Sequence, residues 1–203
     1  MRIGVLGGAF DPPHAAHAAL ARAAQRQLSL DRVVWVPTFS PPHKHGPATP
    51  FAHRLAMVRA LIATEPAFSE VSDIEAALPL PSYSLQTLRA LKQLEATRAQ
   101  ETSPVHWHLI IGADNWSIFP AWHQPEAVLA EASLAVYPRA GFALETLPAL
   151  PQGSVMLNFA EMPEQSTVFR ESLGQEGPRR DEALGRLPGP VAAYIREHRL
   201  YLA

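Results

Sequence analysis

Cysteine is missing from the 203-residue chain. Its absence excludes a disulfide scaffold, a thiolate nucleophile and a zinc site built on thiolates. Long apolar runs are missing too, and none nears the ~20 residues of a membrane span. The first residues, Met1-Arg2-Ile3-Gly4, lead straight into a strand pattern without a charged leader or cleavage site. The expected compartment is the cytoplasm, and no membrane partner is expected. A dominant charge of one sign is also lacking. With a formal net charge of −2 the chain has no basic footprint that tracks a nucleic-acid backbone. Any polyanion it handles is small and held by local cations. Lysine is scarce as well: Lys44 and Lys92 stand against 15 arginines.

What is present is a rhythm. Short β-branched or apolar runs at 2–6, 32–37, 69–72, 106–111, 133–137 and 155–159 read as strands. Helical patterns lie at 15–28, 51–63, 84–99, 125–130 and 189–198. Strands separated by helices imply βαβ crossovers. The expected fold is α/β: a doubly wound, Rossmann-like, mostly parallel sheet with helices on both faces. Such a sheet binds ligands beyond the carboxyl ends of its strands, where the strand order reverses. The length suits a single domain, 1–203. Two segments interrupt the rhythm. The Pro-rich stretch near 38–50, "TFSPPHKHGPATP", reads as a mobile loop carrying His43, Lys44 and His45. The polar, Gly/Pro-punctuated stretch near 172–190 reads as flexible.

The densest chemistry is in "GVLGGAFDPPHAAHAAL", residues 4–20. Gly7 and Gly8 let the backbone turn tightly after the first strand and let a ligand come close to the main chain. A helix starts near His14 or Ala15, and its N-terminus offers free N–H groups and partial positive charge. His14 and His17, three apart, project to one side. Together these make an anion site suited to a polyphosphate. The stretch holds neither G-x-G-x-x-G nor the G-K-[ST] of a P-loop.

These residues carry a resemblance. "GGAFDPPHAAHAAL" resembles the G-G-T/S-F-D-P-x-H-x-G-H signature of the HxGH nucleotidylyltransferases, and later segments point to one branch, the bacterial nicotinate-mononucleotide adenylyltransferases. "PPHK" at 41–44 is similar to that branch's P-P-H-K/R loop, and "PSYSLQTL" at 81–88 to its P-S-Y-T-x-D-T-L. "IIGADNWSIFPAWHQ" at 110–124 resembles I-I-G-x-D…F…W, and "QSTVFR" at 165–170 resembles S-S-T-x-I-R. "VAAYIREHRLY" at 191–201 is similar to V-x-x-Y-I-x-x-H-x-L-Y. The matches follow family order and span nearly the whole chain.

The resemblance implies a reaction that joins ATP and nicotinate mononucleotide into nicotinate adenine dinucleotide and pyrophosphate, with Mg²⁺ carried on substrate phosphates. The attacking phosphate is largely ionised at neutral pH, its second pKa being about 6, so no general base is needed. By the family pattern His14, His17, Lys44 and Arg170 carry the chemistry. Gly7, Gly8, Phe10, Gly112, Asp114, Ser166 and Thr167 bind ATP, and Tyr83, Ser84, Trp122 and Arg139 bind the mononucleotide. The chain departs from the pattern at five places: Ala9 for Thr or Ser, Ala16 for the glycine of H-x-G-H, Gln86 for the acidic residue, Gln165 for the first Ser, and the absence from "TFSPP" of the asparagine often seen before P-P-H-K. Three other readings stand beside this one. They are a sister adenylyltransferase acting on nicotinamide mononucleotide or phosphopantetheine, a diverged nucleotide-binding module without turnover, and a histidine metal site on His14, His17, His43 and His45.

Overall fold

In the computed structural model of the chain, the apolar runs become six strands and the amphipathic stretches become the helices that cross between them. Residues 1–40, 49–64, 67–98, 104–142, 147–160 and 162–202 are described. The strands are β1 (Arg2–Gly8), β2 (Arg32–Pro37), β3 (Ser69–Val71), β4 (His106–Gly112), β5 (Ser133–Tyr137) and β6 (Val155–Met156). They form one sheet in the order β3-β2-β1-β4-β5-β6, each neighbouring pair parallel. The helices are α1 (Ala15–Leu28), α2 (Phe51–Ile62), α3 (Ser84–Arg98), α4 (Ala113–Ser117), α5 (Pro125–Glu131), α6 (Ser166–Leu173), α7 (Pro178–Arg186) and α8 (Gly189–Glu197). This is the doubly wound α/β fold expected from the sequence.

Side chains alternate along a strand, and a parallel sheet buries both sets. Leu6, Trp35, Ile110 and Ala135 join the core packed by α1, α2, α6, α7 and α8. Val5, Val34, Val36, Leu109, Ile111 and Leu134 join the core packed by α3, α4 and α5. The small stripe of α1 (Ala18, Ala21 and Ala24) is buried and lets that helix lie close to the sheet.

Two segments differ from expectation. The run 155–159 supplies only a two-residue strand, because Leu157 N–H makes one further bond to Val136 (2.7 Å) before Gln27 captures Asn158. Gln27 does so twice, donating to the Asn158 carbonyl (2.9 Å) and accepting its N–H (2.8 Å). The polar segment near 172–190 carries α7, which begins at Pro178 after Gly177 in a left-handed turn (φ 76°) and buries Ala183 and Leu184. Arg180 holds it in place, donating to the carbonyls of Leu173 and Leu200.

The chain runs outward from β1 to β3, returns beside β1 as β4, and then runs outward the other way. The reversal opens a crevice between the carboxyl ends of β1 and β4, at Gly8 and Gly112. No described helix is long and apolar enough to cross a membrane.

Candidate active site

The first strand ends in the glycine turn, and the turn delivers two histidines. A Cβ on Gly7 would meet nothing within 4 Å, so this residue faces open space, whereas Gly8 lies under the Phe10 ring. Phe10 holds a left-handed backbone (φ 49°) that side-chain-bearing residues seldom adopt, and its ring is buried. His14 is the N-cap of α1. Its own N–H donates to His17 Nδ1 at 3.2 Å, which puts the His17 ring proton on Nε2. This is the back-reaching half of a capping box, with imidazole in place of the usual Glu or Gln. The two rings stand 3.8 Å apart, His17 against Phe10 and His14 against Phe169 of α6. Burial, aided by the charge of Arg139, lowers His14 to about 4. Burial, then His14 and Arg139, hold His17 well below the ordinary imidazole value. Both rings are neutral at pH 7. Among the described residues His14 Nδ1 is buried with no hydrogen-bond partner.

Asp11, 1% exposed, is the hub behind this turn. Its Oδ1 accepts from the Tyr201 hydroxyl (2.7 Å) and its Oδ2 from Thr49 N–H (3.4 Å). Arg170 of α6 donates from Nη1 to the Asp11 carbonyl (2.8 Å) and from Nη2 to Thr167 Oγ1 (3.1 Å). Ser166 donates to the Pro12 carbonyl at 3.0 Å. Arg54 of α2, also 1% exposed, donates from Nη1 to the Ala9 carbonyl (2.8 Å) and from Nε to the Thr49 carbonyl (3.0 Å). Burial lowers its pKa, offset first by Asp11, yet a guanidinium stays charged.

The carboxyl end of β4 forms the opposite wall. A Cβ on Gly112 would sit 2.2 Å from Asp114 Oδ1, so any larger residue there would displace that carboxylate. Asp114, in the first turn of α4, lies 3.7 Å from Arg139 Nε. Arg139 follows β5 and is half exposed, and its charge reaches both histidines.

A second group gathers at the start of α3 and the loop after α4. Tyr83 stacks on His123 with ring centres 4.3 Å apart and planes 21° from parallel. Its N–H donates to Gln86 Oε1 (3.0 Å) as α3 begins at Ser84, so Gln86 does the capping work of the acidic residue it replaces. Trp122 packs on Phe119 (5.1 Å), which packs on Trp116 (5.3 Å). Trp122 Nε1 is buried and, among the described residues, has no hydrogen-bond partner. Behind this group the buried Glu75 accepts from Phe39 N–H (2.9 Å) and Thr87 Oγ1 (3.0 Å), its pKa raised by burial.

The structure thus draws Phe10, His14, His17, Ser166, Thr167 and Arg170 around the turn after β1, sets Tyr83, Ser84 and Trp122 at the start of α3 and after α4, and puts Gly112, Asp114 and Arg139 on the β4–β5 side. Lys44, His43, His45 and the loop proposed around them fall at 41–48, outside the described residues. Sequence reasoning missed Arg54 and Glu75, and quoted Asp11, His123 and Tyr201 without assigning them work. Arg54 had a signal. It sits on the stripe of α2 that also holds Met57, Val58 and Leu61, and a charge on an apolar stripe needs buried partners.

The chain matches the cytidylyltransferase-like family over residues 5–171. It is 38% identical over 208 residues to a probable nicotinate-nucleotide adenylyltransferase of Synechococcus sp. (strain JA-3-3Ab), covering 99% of this chain and 95% of that one. A protein of the same description from Dehalococcoides mccartyi is 35% identical, with 99% and 97% covered. In fold it is similar to the Plasmodium falciparum nicotinic acid mononucleotide adenylyltransferase complexed with NaAD: TM-score 0.77, 18% identity, 98% of this chain and 97% of that one covered.

Proposed function

The chain belongs to the nicotinate-nucleotide adenylyltransferases of the cytidylyltransferase-like family, and from that premise we propose how its residues divide the work. The reaction joins ATP and nicotinate mononucleotide in NAD biosynthesis. A phosphate oxygen of the mononucleotide attacks the α-phosphorus of ATP, forming one P–O bond while the bond to the β-phosphate oxygen breaks and pyrophosphate departs. The nucleophile is already ionised, so the protein's task is alignment and charge stabilisation.

The observation that carries the assignment is the His14–His17 pair at the start of α1, neutral and 3.8 Å apart, beside Arg139 and Arg170. Neutral imidazoles offer N–H donors to phosphate oxygens without requiring a proton from solvent. An arriving anion favours their protonated forms, so charge builds where the transition state needs it. The free N–H groups of the first turn of α1 add fixed positive potential. Gly7 and Gly8 admit the nucleotide to the backbone, with Phe10 beside it. Gly112 and Asp114 meet the adenosine at the end of β4. Ser166, Thr167 and Arg170 bring the start of α6 to the triphosphate, and Lys44 supplies a further cation. Arg139 holds the mononucleotide phosphate, while Tyr83, Ser84 and Trp122 enclose the pyridine ring.

No group of three or more described His, Asp or Glu side chains fits a metal ion. A protein-held cage for Mg²⁺ has no support among them, and His43 and His45 of the alternative histidine site lie outside the described residues. The reading is that Mg²⁺ enters on the ATP phosphates and neutralises their charge; the residues above position and polarise. The test is pyrophosphate release from ATP and Mg²⁺ with nicotinate mononucleotide, with nicotinamide mononucleotide and with neither. Release well above the others with the nicotinate form is the expected result. Equal use of both mononucleotides overturns the specificity, and silence with ATP still binding favours a nucleotide-binding module.

A further inference from the structure

The chain after α8 takes an unusual path. Two residues that are not glycine, Arg199 (φ 50°) and Tyr201 (φ 66°), lie in the left-handed region. That conformation costs backbone energy and persists only where the surroundings impose it. Three bonds hold the turn: Arg199 N–H to the Arg196 carbonyl (3.2 Å), Leu200 N–H to the Ile195 carbonyl (3.1 Å), and Arg180 Nη2 to the Leu200 carbonyl (3.1 Å). Its outcome is a single placement. The Tyr201 ring enters the core shared by α1, α2 and α8, and its hydroxyl donates to Asp11 Oδ1 at 2.7 Å across 190 residues of sequence.

We propose that Tyr201 is a positioning residue for the phosphate-binding turn, acting through Asp11. Asp11 follows the strained Phe10 and precedes His14 by three residues. Its carboxylate is fixed at both oxygens, by Tyr201 and Thr49, and its carbonyl is fixed by Arg170. The next carbonyl, of Pro12, is fixed by Ser166. Side chain and carbonyl thus hold the Asp11 backbone from two directions, and a backbone shift there would carry the start of α1 and its two imidazoles; the Tyr201 bond opposes that shift. Thr49 N–H is a long bond to the same carboxylate, so the Tyr201 hydroxyl is its tighter anchor. The hydroxyl also engages the Thr49 side chain, and Met57 Sδ lies 4.0 Å away.

This inference rests on the adenylyltransferase reading, and the experiment separates the two. Wild type, Tyr201→Phe, Asp11→Asn and the double variant are assayed for pyrophosphate release with both substrates varied, alongside thermal melting. Phe keeps the ring and removes one oxygen. The expected result for Tyr201→Phe is a kcat lower by about tenfold with each KM within about twofold, because misplacement of catalytic groups is felt in the transition state. The double variant is expected to be no slower than Asp11→Asn alone, since both changes cut one link. Unchanged kcat, a loss confined to KM, or multiplicative losses in the double variant overturn the proposal. If Tyr201→Phe fails to fold, the shifts of the His14 and His17 ring nitrogens in ¹⁵N-labelled Asp11→Asn read the same link from its other end: displaced signals support it and wild-type signals overturn it. Inactivity of the wild type itself sinks the adenylyltransferase reading instead.

Discussion

The two groups of candidate residues are built on different principles. Around the histidines, the turn between β1 and α1 is clamped by partly buried hydrogen bonds from Arg54, Arg170, Ser166 and Tyr201, and the histidines it carries are desolvated. Around Tyr83 and Trp122, rings lean on rings, Tyr83 on His123 and Trp122 on Phe119, flanked by the exposed Leu80 (60%) and Ile118 (49%). Phosphates demand donors fixed before the ligand arrives, because charge stabilisation is strongest when no reorganisation is needed. A flat heterocycle demands a face to stack on and a few polar atoms at its edge, which tolerates mobility. Under the proposed assignment, the denser hydrogen bonding falls where the bond is made.

The comparison is broken most severely by His17→Ala. Removing one preorganised donor is expected to lower kcat by about 10²- to 10³-fold in the pyrophosphate assay, with melting lowered by roughly 2–8 °C through the lost cap bond to His14 N–H. A loss in KM alone would place the histidine in ground-state binding. Arg54→Met tests the clamp. It leaves the Ala9 and Thr49 carbonyls without their donor and removes the positive charge near the Asp11 carboxylate, a defect worth about 3–5 kcal/mol. Melting should fall by roughly 10 °C for a domain of this size, measured by calorimetry. In the other group, Trp122→Phe keeps the stack and deletes the unpartnered buried N–H. If that N–H awaits the mononucleotide, the KM for the mononucleotide rises about fivefold while the KM for ATP holds, in line with about 1 kcal/mol per hydrogen bond.

The smallest effect is on pH dependence. His14 falls to about 4 in the folded state against 6.5 when free, and His17 is lowered too. Above pH 6.5 both states are neutral there and the pair adds no slope. Below it the unfolded chain takes up protons that the folded chain refuses, so stability declines as pH drops from about 6.5 towards 4. Urea midpoints at pH 7 and pH 5 measure this, and His14→Gln should flatten the difference.

Much of this was legible in the residues. The sheet followed from alternating runs, because β-branched cores of parallel strands leave a strong pattern, and the site followed from glycines, prolines and histidines concentrated at one strand end. What stayed hidden has physical reasons. Helix α7 buries only Ala183 and Leu184, too little apolar surface to mark its period. Gln86 looks like a lost carboxylate, yet its amide oxygen accepts the same capping bond. Ala9 lacks the hydroxyl of its counterparts, but the structure uses its carbonyl, which every residue has. Gln165, at the N-cap of α6, makes no side-chain cap, so that substitution does lose a bond. Arg54 and Tyr201 act across long separations that no local pattern reports.

The bond between residues 11 and 201 also has a temporal side. A ribosome adds about 5–20 residues per second, so roughly 10–40 s pass between synthesis of the aspartate and of its tyrosine partner. Through that interval the turn exists without its anchor from this side, although the residues of β2 and β4, which flank β1 in the finished sheet, have already been made. The chain thus makes its central strands before the residue that holds the turn, and a protein arrested short of residue 201 would lack that hold on the residues after β1.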